Sequence, residues 1–85
     1  VYAVEASGMA EKARLVVARN GFEHVIQVIN ATMESAPIPE QVDVIISEWM
    51  GCFLLFEGML ESVIYARDKY LKPDGAMFPR FANMY

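Results

Sequence analysis

One cysteine, Cys52, occurs in the 85 residues, so the chain has neither an internal disulfide nor the paired thiolates of a CxxC metal site. No His or basic residue stands near it in sequence, and it is given no nucleophilic role. Long apolar runs are lacking as well. Nothing approaches the roughly 20 apolar residues that span a bilayer, and no charged segment followed by an apolar stretch suggests a signal peptide. A soluble intracellular chain in a reducing compartment, with no metal and no membrane partner, is the expectation. Cations are scarce too. Seven Lys and Arg face eleven Asp and Glu, for a formal charge of −4, which argues against direct binding to a nucleic-acid backbone. The single histidine, His24, precedes a strand-like run in a polar context and is expected on the surface rather than as a base.

What is present is apolar: 55% of the residues are hydrophobic, enough for one small unit. A chain this short buries only about two-thirds of its unfolded surface and is marginal alone. Residues 1–4 read as a short strand. Met9, Ala13, Val16 and Val17 then recur at helical spacing, and the helix stops at Asn20-Gly21. Residues 25–29 read as a second strand. After a Pro-punctuated loop over residues 32–41, residues 42–47 have the near-continuous apolarity of a central parallel strand. A second helix is predicted over residues 56–70, with Met59, Leu60, Val63, Ile64 and Tyr70 on one stripe. Lys72-Pro73-Asp74-Gly75 is a predicted turn, and residues 76–78 a further strand. Strands separated by helices imply a doubly wound α/β sheet. The opening at Val1 and the strand-like run over residues 81–85 read as cuts through a larger domain.

The acidic residues fall in telling places on that frame. Ligands of open α/β sheets bind beyond the carboxyl ends of the strands. Glu5, Glu34 and Glu48 each lie at or just past such an end. A carboxylate at Glu5 either accepts hydrogen bonds from the ribose hydroxyls of a cofactor or is a solvated strand-end residue. A nicotinamide-dependent dehydrogenase would show one there too, so Glu5 does not identify the cofactor.

A more specific signal is Ser47-Glu48-Trp49-Met50-Gly51-Cys52-Phe53-Leu54-Leu55-Phe56-Glu57-Gly58-Met59-Leu60. Eight residues separate the two glutamates, which leaves one carboxylate on each arm of a loop. The bland readings are an acidic residue favoured at a helix N-terminus for Glu57, worth about 0.3–1 kcal/mol, and an exposed loop carboxylate for Glu48. With the strand before it (residues 42–46) and the helix after it (residues 62–69), however, the segment resembles the double-glutamate loop of the protein arginine methyltransferases. Glu5-Ala6-Ser7 followed by Met9-Ala10 is similar to the family's segment after its cofactor-binding glycine loop, and the likeness runs on through Gly75 and Pro79.

The resemblance implies a partial Rossmann-like, S-adenosylmethionine-dependent methyltransferase domain over residues 1–78, with residues 79–85 entering a downstream β-barrel substrate domain. A guanidinium stays protonated because its pKa exceeds about 12, and it offers five N–H donors in a planar fork. Glu48 and Glu57, the implied catalytic pair, would grip it through charge-assisted hydrogen bonds. At an effective dielectric of about 20, each carboxylate roughly 4 Å away attracts the cation by ~4 kcal/mol before desolvation is subtracted. For the cofactor, the resemblance implies Glu5 on the ribose, Glu34 on the adenine amino group and the Met33 backbone against the ring. Ser62 is either a further cofactor-side residue or a helix-surface serine. Met59 either shapes the methyl-acceptor pocket or packs in the core, and Trp49 either walls the arginine channel or packs with partial exposure. Gly58 departs from the Ser or bulkier residue common after the second glutamate, which leaves the methylation state of the product open.

The implied partners are arginine-rich proteins of histone or RNA-binding type, the implied assembly a homodimer of the parent enzyme, and the implied location cytoplasmic or nuclear. The glycine loop, the barrel and the dimerisation arm are expected outside these residues, and the chain by itself is expected to be inactive. Two other readings stay open at the level of sequence. One is a catalytically silent relative used for protein interaction; the other is a nucleotide-binding domain of another enzyme class, which accounts for Glu5 but not for Glu48 and Glu57.

Overall fold

The computed structural model describes residues 1–50 and 58–83. It contains β1 (Tyr2–Val4), α1 (Met9–Arg19), β2 (Gln27–Ile29), β3 (Val42–Ile46), α2 (Leu60–Tyr70) and β4 (Leu71–Phe78). These divide into two compact units, Val1–Ile38 and Pro39–Tyr85. Each unit pairs its two strands in parallel. Parallel neighbours cannot be joined by a tight turn and need a crossover connection. A helix lies within each: α1 between β1 and β2, and α2 between β3 and β4.

In the first unit the strands run in unbroken register, Tyr2 opposite Gln27, Ala3 opposite Val28 and Val4 opposite Ile29. The ladder continues one bond at each end, Gln27 N to Val1 O at 2.8 Å and Glu5 N to Ile29 O at 3.0 Å. The second strand is shorter than residues 25–29. The amides of Val25 and Ile26 both bond to the Phe22 carbonyl, at 2.9 and 2.8 Å, and so belong to a turn. α1 ends where the sequence places its end. Gly21 has φ +74°, and its amide bonds Ala18 O while that of Phe22 bonds Val17 O, both at 3.0 Å. That paired arrangement needs a left-handed residue, which glycine supplies without steric cost.

The buried face of α1 differs from the expected stripe. Ala10 is buried and Ala13 and Val17 are half-buried, whereas Met9 and Val16 are 54% and 59% exposed. Residues 10, 13 and 17 share one face at helical spacing. The two alanines on that face let the helix approach β2, against which it packs.

The second unit breaks its register. Val42 pairs with Leu71, but Val44 pairs with Ala76, Ile45 with Met77 and Ile46 with Phe78. Two steps along β3, from residue 42 to 44, are therefore matched by five along β4, from 71 to 76. The turn predicted at residues 72–75 exists as an excursion inside one strand rather than as a boundary before it. Lys72 Nζ donates to Asp43 Oδ1 across it at 3.0 Å. A Cβ at Gly75 would lie 2.9 Å from the Asp43 carbonyl oxygen and 2.5 Å from Leu71 Cδ1, so glycine is what lets the excursion close.

β3 is parallel, as its apolarity implies. Among the described residues it pairs with β4 alone, and Val44 and Ile46 are 48% and 80% exposed. A strand is sealed on both faces only when a layer covers each, and within this unit α2 is the helix packed on it.

α2 begins at Leu60; positions 56 and 57 of the predicted helix lie outside the described residues. Its buried face is Val63, Ala66 and Tyr70, while Met59 and Ile64 on the expected stripe are 44% and 38% exposed. Residues 81–83 form no strand, and 84–85 lie outside the described residues.

Candidate functional site

Glu5 is the first residue beyond β1, with its amide still tied to the end of β2. The chain then turns into α1, and the side chains in the turn converge on the glutamate. Ser7 donates twice to Glu5 Oε1, from its amide at 3.0 Å and its hydroxyl at 2.7 Å. The same hydroxyl oxygen accepts the Met9 amide at 3.1 Å. From the end of β2, Asn30 Nδ2 donates to the carbonyls of Glu5 at 2.8 Å and Ser7 at 3.1 Å. The Ser7 hydroxyl, and after it the Ser7 amide, holds the Glu5 carboxyl below its ordinary value of 4.5, since both bonds favour the ionised form. Both bonds fall on Oε1. An ionised, solvent-accessible acceptor at a strand end is the group a vicinal diol such as ribose calls for, so the residues present fit an adenosyl cofactor.

Met33 and Glu34 lie in the same unit, in the turn that follows β2. The amides of Ser35 and Ala36 bond Thr32 O at 3.2 and 2.9 Å, and the Thr32 and Ser35 hydroxyls are 2.8 Å apart. Met33 is half-buried and Glu34 exposed. Glu5 and Glu34 thus both follow the carboxyl ends of two strands that are neighbours in one sheet.

In the second unit the ladder reaches one residue past β3, Ser47 N bonding Phe78 O at 3.0 Å. Glu48 is the first residue beyond it and is exposed. Trp49 is 8% exposed, more deeply buried than the partial exposure expected of it. Glu57 lies outside the described residues, as does Cys52. Met59 occupies the position before the first residue of α2 with no side-chain capping bond, and Ser62 is half-buried in the helix's first turn. Gly58 has φ +68°, a left-handed conformation that costs a residue with a Cβ roughly 1–2 kcal/mol; the departure from a bulkier residue at this position therefore agrees with the local backbone. His24 is exposed, as expected.

The sequence assigns no site role to Asn30, or to Ser7 beyond its place in the Glu5-Ala6-Ser7 segment. Serine two positions after a carboxylate is a recognisable local hydrogen-bonding pattern. Asn30 carries no local signal, because its partners lie 25 and 23 positions away. Among the described residues no three His, Cys, Asp or Glu side chains are grouped to hold a metal, and no helix is long and apolar enough to cross a membrane.

All 85 residues align at 55% identity with protein arginine N-methyltransferase PRMT10 of Arabidopsis thaliana, over 22% of that protein. They align at 56% with protein arginine N-methyltransferase 6 of Xenopus tropicalis, over 25% of it. The chain's close relatives are protein arginine N-methyltransferases. It spans about a quarter of the length of these curated relatives. Among solved structures, that of Arabidopsis thaliana protein arginine methyltransferase 10 superposes with a TM-score of 0.90 at 57% identity, covering 93% of this chain and 23% of that one. A Trypanosoma brucei PRMT1 enzyme–prozyme heterotetrameric complex with AdoHcy gives 0.89 at 51%, covering 93% and 25%. No family model matches the chain. The α/β arrangement of short parallel pairs is thus that of the corresponding part of an arginine methyltransferase.

Proposed function

We propose that this chain is part of the catalytic domain of a protein arginine N-methyltransferase, which moves a methyl group from S-adenosylmethionine to a guanidinium nitrogen of arginine in protein substrates. The observation that carries the reading is chain-long identity above one half to named arginine methyltransferases, with Glu48 and Glu57 both present. On this reading β1–β2 and β3–β4 are portions of a Rossmann-like cofactor domain spanning residues 1–78, and residues 79–85 lead into a β-barrel. Bound S-adenosylmethionine would supply an electrophilic methyl on its sulfonium. Glu5 would hold the ribose, Glu34 the adenine amino group, the Met33 backbone the ring face, and Ser62 the cofactor side of α2. Glu48 and Glu57 would bind the guanidinium, draw its positive charge toward themselves and leave lone-pair density on the attacking nitrogen. Orientation of that kind contributes up to ~7–11 kcal/mol in well-aligned cases. Trp49 and Met59 would bound the acceptor pocket.

The substrates on this reading are arginine-rich proteins of histone or RNA-binding type, the assembly is a homodimer, and the location is cytoplasmic or nuclear. The deciding experiment replaces Glu48 or Glu57 by Gln in the full-length protein that carries this sequence. Single-turnover transfer to an arginine-rich peptide should fall at least about a hundredfold, because preorganised electrostatic groups are worth ~2.7–4 kcal/mol each. Cofactor affinity by calorimetry should change little. Near-normal turnover in either variant removes that glutamate's role, and a collapse of cofactor binding overturns the site assignment.

A further inference from the structure

We propose that Asn30 is a positioning residue for the Glu5 carboxylate, and through it for the ribose of the adenosyl cofactor; the inference rests on the assignment of Glu5 above. Asn30 is the first residue after β2. Its side-chain amide nitrogen has two N–H donors, and they go to the carbonyls of Glu5 and Ser7, on either side of the β1–α1 turn. The backbone of the turn is thereby tied to the neighbouring strand at two points. One of those points, Ser7, is also the residue whose amide and hydroxyl orient Glu5 Oε1, and its carbonyl accepts the Ala10 amide at 3.3 Å as α1 begins.

The physical consequence is preorganisation. A free glutamate side chain samples many rotamers, and a ligand that needs it in one must supply the ordering entropy on binding. With Ser7 fixing one oxygen, and Asn30 fixing the backbone that carries Ser7, that cost is met during folding. Asn30 therefore contributes to cofactor affinity without touching the cofactor. Asp at this position would keep the shape but turn a carboxylate toward two carbonyl oxygens, replacing two attractions by two repulsions.

The test is a double-mutant cycle in the full-length protein, with S-adenosylhomocysteine as the calorimetric probe and its 2′,3′-dideoxy analogue as the control. Asn30→Ala should weaken S-adenosylhomocysteine by about five- to tenfold, the usual size for lost hydrogen bonds of this kind, and Asn30→Asp by at least as much. The dideoxy analogue, which offers Glu5 no hydroxyls, should bind wild type and Asn30→Ala alike. In a Glu5→Ala background, Asn30→Ala should add nothing, because residues acting through one another are not additive. An equal loss for both ligands, or in both backgrounds, would mean a general structural role and overturn the proposal. If Glu5→Ala weakens the probe while Asn30→Ala and Asn30→Asp do not, positioning fails and the Glu5 assignment stands. If Glu5→Ala has no effect, both fail. Should Asn30→Ala not fold, Asn30→Ser, which has no amide donors for the two carbonyls, takes its place in the same cycle, with the same outcomes deciding.

Discussion

Both units end a parallel strand at a glutamate, yet they secure it by different means. In Val1–Ile38, Glu5 sits in a turn whose side chains and carbonyls are cross-tied by Ser7 and Asn30. In Pro39–Tyr85, Glu48 is placed by strand register. The ladder runs unbroken from Val44–Ala76 to the Ser47–Phe78 bond, and its phase is set by the excursion at residues 72–75, which Gly75 allows to close. The first device tunes chemistry, since hydrogen bonds to a carboxylate shift its ionisation as well as its orientation. The second tunes position alone, because a one-residue slip in pairing turns every side chain beyond it to the other face. Variants in the first unit should therefore show in ligand affinity and pH response, and variants in the second in stability and turnover.

The largest effect that would sharpen this contrast is expected at Trp49. Trp49→Ala empties a nearly buried indole site, and urea unfolding of the full-length protein should show a loss of about 3–5 kcal/mol. A stability change below about 1 kcal/mol together with a raised KM for an arginine peptide would instead make Trp49 a wall of the substrate channel. Next is Gly75→Ala. The added Cβ meets a backbone oxygen that cannot rotate away, so β4 must shift, at a cost of about 1–3 kcal/mol typical of overpacking. Turnover should fall with it while cofactor affinity holds. A variant that binds cofactor more weakly but turns over normally would break the assignment of register control to this unit.

The smallest effect belongs to the first unit and is a pH effect. The folded pKa of Glu5 is depressed, chiefly by the Ser7 hydroxyl, so its contribution to stability is fully present above the ordinary value of 4.5 and is lost as pH falls through the lower folded value. Ser7→Ala removes the main cause. Nuclear magnetic resonance titration of the Glu5 side-chain carboxyl should give a higher pKa in the variant, and the stability advantage of wild type should be present at neutral pH and vanish in acid. The advantage should be slight, because water already solvates this carboxylate. An unchanged titration would show that Ser7 does not engage Glu5 in solution.

Much of the local structure could be read from residues close in sequence. The order of strands and helices, the end of α1 at Asn20-Gly21 and the placing of Glu5, Glu34 and Glu48 past strand ends all follow from periodicity and from the needs of nearby backbone groups. The span from Ser47 to Leu60 carried the family likeness for the same reason, since its residue types and spacing are local properties. Tertiary structure alone decided which face of α1 is buried, because Ala10, Ala13 and Val17 are chosen by the sheet they approach rather than by hydrophobicity. It also decided that Lys72 to Gly75 bulge within β4 instead of ending a loop before it, which depends on Asp43 and Leu71 being there to meet them. The Asn30 tie to Glu5 and Ser7 is of this second kind: residues more than twenty positions apart become hydrogen-bond partners only once β1 and β2 have paired.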